Sequence, residues 1–378
     1  MRTYGKYNFY INKLGDSFYH LFELYYKRKG TTMQREIIEN TKLLNEQGNL
    51  KQTGYSRSLI LDYDRKDIKD IKASSLRIKE WDYYLIYNDE YGIALTLADN
   101  SYMSLESISI LDFKNAREKT VSPIQACSLG KINMPSSSKE GDVVYTSKKI
   151  DLSFKHKDNK RILECRMDDF HDKQTFHCYF ELDEEPQDSM VIATPFKKEK
   201  HFYYNQKIVG FKVSGYFQLG DFKYEFNKNS TRSILDWGRG VWTYKNIWYW
   251  GAGCGIVNNH EVGFNIGYGF GDTSTASENA IFYDGILHKL EDITFNIPKD
   301  ENENYLYTKP WTITSSDKRF EMQFEPILNR ASCTDVKLIC SDQNQVFGKF
   351  NGTMILDDGT KIILKDFLAF AERVLNKW

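Results

Sequence analysis

The sequence predicts an all-β protein folded as two halves of antiparallel strands. Aromatic residues make up 15% of the chain, with 25 Tyr and 24 Phe, and such side chains are typical of strands. Apolar runs with a period of two follow one another every roughly 8 to 15 residues, without helical patterns between them. A chain of 378 residues is too long for one ordinary core, which predicts two domains.

The first half follows an N-terminal extension, residues 1–35, in which Met33 is a candidate alternative start. Two apolar runs at 81–87 and 92–98 flank a polar turn and predict a hairpin, because apolar and smaller side chains alternate along the second run. The same kind of pattern predicts further strands at 103–113, 143–146, 151–154, 161–167, 175–182, 208–216 and 222–226.

The boundary between the halves is expected in the polar turn at 227–230, so the predicted domains span residues 36–229 and 230–378. The last hairpin closes over Asp357-Asp-Gly-Thr360, because Asp-Gly between apolar runs favours a tight turn. The strands predicted before it lie at 247–256, 261–270, 280–283, 285–289, 293–297, 311–314, 320–325, 335–340 and 345–350.

The C-terminal segment is the one place where a helix is expected. Apolar residues from Phe367 to Trp378 recur at helical spacing, and Asp366 is placed to cap the first turn. We therefore expect one amphipathic helix that packs on the outside of the strands.

Composition and charge exclude several classes of partner. Lys plus Arg (51) nearly balances Asp plus Glu (52), for a net charge of −1, so no bulk positive field draws the chain to nucleic acid. No run approaches the about 20 apolar residues of a membrane helix, and we expect no membrane span and a cytoplasmic location. The six cysteines form no Cys-x-x-Cys pair, which predicts reduced thiols and no metal site. No nucleotide-binding loop is present, and no cofactor is expected.

The stretch from Ser233 to Gly255 contains four of the seven tryptophans: Trp237, Trp242, Trp248 and Trp250. Along the strand at 247–256, alternation places the last two on one face and three glycines on the other. The next strand has a second glycine face, from which Asn265 projects. Faces made of glycine leave room either for a neighbouring chain segment or for a ligand.

Several long motifs stand out in the chain, among them Leu44-Asn-Glu-Gln-Gly-Asn-Leu50, Lys79-Glu-Trp-Asp-Tyr-Tyr84, Leu235-Asp-Trp-Gly-Arg-Gly-Val-Trp242, Ser277-Glu-Asn-Ala-Ile-Phe-Tyr-Asp-Gly285 and Phe347-Gly-Lys-Phe-Asn-Gly352. They resemble the motifs of a bacterial family, the domain of unknown function 2804. The resemblance covers roughly residues 40–378. The family is distantly similar to two-domain lipocalin-like proteins that include carotenoid hydratases, and to lipocalin-like pericyclases. The resemblance therefore implies two lipocalin-like (calycin) antiparallel β-barrel domains and, by analogy, an apolar small molecule as the ligand.

Asp236 and Arg239 are the first candidates for chemistry. If both are buried, they need partners, and one interpretation is a structural salt bridge at the domain junction. The other is that apolar surroundings raise the pKa of Asp236, which then protonates an alkene or polarises a carbonyl while Arg239 orients the substrate. Glu278 and His288 are further candidates for proton transfer, although both are equally suited to satisfying a turn. The candidate ligand-binding residues are Trp237, Trp242, Trp248, Trp250, Asn265, Asn279 and Asp284.

Two functions stay open at this point. The first is binding of an apolar small molecule, lipid- or isoprenoid-like, with cofactor-free acid–base chemistry of the hydratase, isomerase or cyclase kind. The second is a non-catalytic carrier or a structural module without a ligand. A closed, packed centre around Trp248 and Asn265 would favour the second, and a Trp-lined pocket reached by Asp236 or Glu278 would favour the first. The sequence leaves the oligomeric state open.

Overall fold

Strands dominate the computed structural model, which describes residues 34–69, 75–183, 185–336 and 339–377. The candidate start at Met33 lies outside the described residues. Helix is confined, in these ranges, to two single 3-10 turns, Arg65–Asp67 and Ser75–Arg77. No helix of the described residues is long and apolar enough to cross a membrane.

The first sheet contains fourteen antiparallel strands in the part of the chain that is described. Its main path runs in the order β7-β6-β5-β4-β16-β14-β12-β11-β10-β9, and a separate pair, β1 and β3, is parallel. The strands of this half are β1 Thr41–Lys42, β2 Gly54–Ser56, β3 Leu61–Asp62, β4 Ile78–Tyr87, β5 Tyr91–Asp99, β6 Met103–Asp112, β7 Arg117–Val121, β8 Ile124–Ala126, β9 Val143–Thr146, β10 Ile150–Lys157, β11 Lys160–His171, β12 Gln174–Asp183, β13 Met190–Pro195, β14 Phe202–Leu219, β15 Phe222–Phe226 and β16 Arg232–Val241.

The second sheet contains nine antiparallel strands over the described ranges, in the order β20-β19-β18-β17-β25-β24-β23-β22-β21. These are β17 Lys245–Val257, β18 His260–Tyr268, β19 Ala280–Tyr283, β20 Ile286–Lys289, β21 Ile293–Asn296, β22 Trp311–Ser315, β23 Phe320–Val336, β24 Ile339–Ile355 and β25 Lys361–Lys377.

The described residues form three apolar cores that stabilise the two sheets. One lies inside the curled first sheet and is built only from residues 37–241, and another lies inside the second sheet and is built only from residues 262–371. The third draws on both sheets and fills the space between them. The prediction of an all-β protein made of two antiparallel halves is confirmed, and the third core shows where the halves meet.

The expected C-terminal helix is wrong, because residues 361–377 form the central strand β25, paired with β17 and β24. Both faces of β25 are buried: Phe367 packs in the second-sheet core and Phe370 in the core between the sheets. A strand that is covered on both sides has a nearly continuous apolar run, and such a run also contains apolar residues at the three- and four-residue intervals of a helix. Asp366 does not cap a helix. It has a φ of 51° and lies at a bulge between β24 and β25.

The chain changes sheet later than the expected boundary at 229–230. Strand β16, Arg232–Val241, pairs with β14 and β4 of the first sheet. The second sheet starts only at Lys245. The Trp-rich stretch therefore spans both sheets.

Candidate functional site

Strand β16 sorts the motif Asp236-Trp-Gly-Arg-Gly-Val-Trp242 onto two faces. Trp237 and Arg239 face the first-sheet core, where the guanidinium lies 4.2 Å from the Trp237 ring centroid and 3.0 Å from Asp82. Asp236 and Trp242 lie on the opposite face, toward the second sheet. The pairing considered for Asp236 and Arg239 is therefore absent, because the period of two separates them and each has another partner.

One glycine of the motif makes space for an aromatic ring on the face toward the second sheet. A Cβ atom on Gly238 would lie 2.0 Å from Cζ2 of Trp81, so the indole rests directly on the glycine backbone. A Cβ atom on Gly240 would instead meet the backbone carbonyl oxygen of Phe202 at 2.5 Å, so that glycine allows close pairing of the strands. The motif thus makes room for the indole of Trp81 between the sheets.

Asp236 belongs to a group of polar side chains buried between the two sheets. On the first sheet it lies directly across from Lys207 on β14 and from Tyr83 on β4. On the second sheet, Glu372 lies directly across from Trp250 on β17 and from Gln345 on β24. We call this group the inter-sheet cluster; its members are Tyr83, Tyr203, Asn205, Lys207, Asp236, Trp248, Trp250, Asn265, Glu278, Gln345 and Glu372.

One ion pair lies on the first-sheet side of the cluster. Nζ of Lys207 lies 2.7 Å from Oδ1 of Asp236, and Nδ2 of Asn205 donates to the same oxygen at 2.6 Å. The Lys207 ammonium also lies 4.0 Å from the ring centroid of Trp250 on the other sheet. It therefore links the two sheets by a charge and by a ring contact.

Two further carboxyls come from the second-sheet side. Trp248 Nε1 and Gln345 Nε2 donate to the two oxygens of Glu372 at 3.0 and 3.1 Å. Glu278 accepts a hydrogen bond from the Tyr203 hydroxyl at 3.2 Å, and it fits beside Gly267, whose Cβ would lie 3.3 Å from Oε1. Neither carboxyl has a cation within ion-pair distance among the described residues.

Burial controls the protonation of these two carboxyls. It raises the pKa of Glu372 to about 7, and the hydrogen bond from Trp248 and the charges of Arg330 and Lys207 offset only part of this effect. Burial also raises the pKa of Glu278, an increase that Lys207 opposes and Asp236 reinforces. The cluster can therefore hold a proton on a carboxyl at neutral pH.

Three acceptor atoms of the cluster are buried without a hydrogen-bond partner among the described residues. They are Oδ1 of Asn205, Oε1 of Glu278 and Oε1 of Gln345. Both amides turn their NH₂ groups toward carboxylates, which leaves their carbonyl oxygens unpaired. A buried acceptor without a donor costs free energy, so these atoms indicate a place for water or for a ligand with donors.

An aromatic wall leads from the surface to the carboxyls. Trp242 contacts Trp81, Phe196, Tyr203 and Trp248 with ring centroids 5.5 to 5.8 Å apart, and Tyr203 stacks on Phe270 at 5.1 Å. Three of these rings are partly exposed and the others are buried. We use the name aromatic wall for Trp81, Phe196, Tyr203, Trp242, Trp248 and Phe270.

The two glycine faces do not border a common space. The glycines of β17 face the second-sheet core, where a Cβ on Gly253 would lie 2.4 Å from Ala369 Cβ. Gly263 of β18 faces the first sheet and contacts Val209. Asn265 is fully buried, and it accepts from Trp250 Nε1 at 2.8 Å and donates to the Glu278 carbonyl at 2.9 Å. The glycine faces thus serve close packing of the chain.

The other predicted site residues lie apart from the cluster or support it. Asn279 accepts from the Gly267 amide at 2.6 Å and holds the backbone beside Glu278. Asp284 pairs with His260 at 2.7 Å in a turn, and His288 lies 3.1 Å from Asp357. Of the four candidate catalytic residues, Asp236 and Glu278 come together, and Arg239 and His288 lie elsewhere. No three His, Cys, Asp or Glu side chains of the described residues are arranged to hold a metal ion.

Sequence reasoning missed Lys207 and Glu372. Lys207 is the charged residue in an otherwise uncharged stretch from Phe202 to Val209, and a strand assigned there would have placed it on the same face as Tyr203. Glu372 was missed because a C-terminal helix was predicted, and the apolar face of that helix does not include it. On β25 it is 4% exposed.

A pH titration of stability tests the environment of Glu372. The folded pKa of about 7 exceeds the ordinary value of 4.5, so this carboxyl contributes stability below about pH 4.5 that is lost as the pH rises through 7. In urea denaturation between pH 5 and 8, we expect wild-type protein to lose free energy of unfolding relative to Glu372→Gln. The shift corresponds to about 3 kcal/mol in total. A difference between the two proteins that does not vary with pH would contradict this environment.

The fold and the cluster define an all-β protein with two curled antiparallel sheets and a buried polar site between them. The chain belongs to the family described as domain of unknown function (DUF2804), whose model matches residues 34–378. No curated protein matches this sequence.

Solved structures with a similar arrangement share little sequence. A putative AttH of Nitrosomonas europaea is 11% identical with a TM-score of 0.47, and the match covers 82% of this chain and 95% of that one. Kievitone hydratase of Nectria haematococca is 10% identical with a TM-score of 0.47, with 92% and 98% covered. CghA is 6% identical with a TM-score of 0.35, with 79% and 87% covered.

Proposed function

We propose that the inter-sheet cluster binds an apolar small molecule against the aromatic wall and carries out cofactor-free acid–base chemistry on it, such as hydration, isomerisation or cyclisation. The observation that carries this proposal is the pair of buried carboxyls, Glu278 and Glu372, which have no cation at ion-pair distance in the described part of the chain and lie beside partly exposed tryptophans. A carboxyl that keeps its proton at neutral pH is suited to act as a general acid.

The contacts favour Glu372 as the acid over Asp236. Lys207 and Asn205 both engage Oδ1 of Asp236. Glu372 is held by the indole of Trp248, which is also part of the aromatic wall. An apolar molecule on that wall would lie next to the proton of Glu372. Asp236 would hold the Lys207 ammonium in place, and Glu278 would act as the second proton-transfer group.

A non-catalytic carrier or a structural module is the alternative. It is favoured by the close packing around Asn265, whose carbonyl and amide groups are both hydrogen-bonded. A cavity of about 240 Å³ lies between the two sheets at a different place from the cluster. Its lining includes Val209, Cys254 and Phe282 but no tryptophan, so it is not the Trp-lined pocket that the catalytic hypothesis expects.

Titration with Nile red, an uncharged apolar dye, and mass spectrometry of solvent extracts of the purified protein test the proposal. We expect a co-purifying apolar compound and a dye affinity that falls at least about tenfold in Trp248→Ala, because the wall loses a large apolar contact. Trp311→Phe is the matched control, since Trp311 is buried in the second-sheet core away from the cluster. Absence of both compound and dye binding, or equal effects of the two variants, would favour the structural alternative.

A further inference from the structure

We propose that the ligand of the inter-sheet cluster carries a protonated amine on its apolar body, and that the ammonium group binds between the carboxyls of Glu278 and Glu372. This inference rests on the proposed function, because it specifies the ligand of the same site. It follows from the balance of charges, from the unpaired acceptors and from the rings around them.

The balance of charges in the cluster is negative. Three carboxyls, those of Asp236, Glu278 and Glu372, have one ammonium at ion-pair distance among the described residues, that of Lys207, which pairs with Asp236 at 2.7 Å. Arg330 and Lys289 act on Glu372 and Glu278 from farther away. Each of the three is at most 7% exposed, so water does not solvate the other two carboxylates. Ionisation of either carboxyl would create a charge without an ion-pair partner among the described residues, and a ligand cation at this place would balance that charge.

The unpaired atoms of the cluster are three acceptors and one hydroxyl, over the described residues. The carboxylates take the donor groups of Asn205, Gln345, Tyr203 and Trp248. The oxygens left over are Oδ1 of Asn205, Oε1 of Gln345 and Oε1 of Glu278, which only accept, and the Tyr83 hydroxyl, which can accept or donate. An ammonium group offers three donors and no acceptor, which is the complement of such a set.

The rings of the site are suited to a cation as well as to an apolar body. Lys207 already places its ammonium 4.0 Å from the centroid of Trp250 and 5.9 Å from that of Phe270. Along the second sheet, Trp250 lies between Glu372 on β25 and Gly267 on β18, and Glu278 covers that glycine. The same indole is therefore flanked by both carboxyls, and aromatic faces attract ammonium groups.

Proton linkage gives this inference a distinctive signature. An ammonium group competes with the proton that Glu372 holds as the acid, so affinity for an amine should rise as the pH increases through about 7, the pKa of Glu372. The charged groups that influence Glu372 are Lys207 on β14, Asp236 on β16 and Arg330 on β23. An uncharged ligand of the same shape gains nothing from that ionisation.

Calorimetric titration with 4-phenylbutylamine and 4-phenylbutan-1-ol at pH 6, 7 and 8 tests the inference on the whole chain. The two probes differ only in the polar end. At pH 8 we expect the amine to bind at least about tenfold more tightly than the alcohol, the effect of a charge-assisted hydrogen bond. The preference should shrink toward pH 6.

Variants assign the preference to the two carboxyls. Glu372→Gln should remove most of the pH dependence and reduce the preference for the amine, and Glu278→Gln should reduce the preference on its own. The second variant keeps the test decisive if the first does not fold. Glu90→Gln, at an exposed position in the turn after β4, is the control and should bind both probes as wild type does.

The outcomes separate the inference from the function on which it rests. Equal affinity for the amine and the alcohol, or a preference that persists in both Glu→Gln variants, overturns the inference and leaves an apolar site. Failure of both probes and of Nile red to bind overturns the inference and the proposed function together.

Discussion

Replacing Lys207 by methionine is expected to lower the free energy of unfolding by about 3 to 5 kcal/mol, the usual cost of leaving one partner of a buried ion pair alone. Lys207 is 1% exposed and Asp236 is 7% exposed, so water cannot take the place of the ammonium. The variant also removes the charge that opposes the raised pKa of Glu278. Guanidinium denaturation at pH 7 measures the loss.

Two further variants test whether the loss of stability comes from the buried ion pair. The double variant Lys207→Met/Asp236→Asn should recover more than about 1 kcal/mol, because the orphan charge is gone and the Asn205 amide still has an acceptor. Lys223→Met breaks an exposed pair with Glu225, whose atoms are 2.8 Å apart, and should cost only about 0 to 1 kcal/mol. Equal losses for Lys207→Met and Lys223→Met would show that the cluster is solvated.

Replacing Gly238 by alanine is expected to displace Trp81 from the aromatic wall. The new Cβ would lie 2.0 Å from Cζ2 of the indole, 2.2 Å from Cε2 and 2.4 Å from Cη2, so the ring has to move. Overpacking of this kind costs about 1 to 3 kcal/mol, occasionally more. Denaturation measures the loss, and Nile red titration should show weaker binding.

A second substitution distinguishes this clash from a general effect of glycine. Trp81→Leu in the Gly238→Ala background should restore part of the stability, since the smaller side chain leaves room for the methyl group. Gly255→Ala places its Cβ 3.2 Å from one atom of Phe367 and should cost clearly less than Gly238→Ala. A larger loss of stability in Gly255→Ala than in Gly238→Ala would contradict the conclusion that Gly238 makes room for the indole of Trp81.

Much of the local structure followed from alternation alone. The hairpin between β4 and β5 has the predicted strands, with Tyr87 paired to Gly92 across the turn. Trp248 and Trp250 lie on the face opposite the glycines of β17, as alternation predicts, because successive side chains of any strand point to opposite sides. The same rule separates Asp236 from Arg239 once β16 is treated as a strand and not as a loop.

The last strand shows where local pattern fails. Residues from Phe367 to Val374 are buried on both sides, and such a segment has no polar face to reveal its period. The apolar pattern therefore does not distinguish a strand from a helix. Because a helix was predicted, Glu372 was not among the candidate site residues. Only the pairing of β25 with β17 and β24, over a long separation in sequence, decides between the two.

The amino-acid sequence by itself determined that this chain forms strands in two antiparallel halves. It also determined which strand faces carry tryptophan or glycine, and to which family the chain belongs. These properties depend on local periodicity and on short motifs. Only the tertiary structure decided that Lys207, Asp236, Glu278 and Glu372 meet between the sheets. Their contact depends on how two curled sheets pack face to face, and side chains far apart in the sequence share that space only after both sheets have formed.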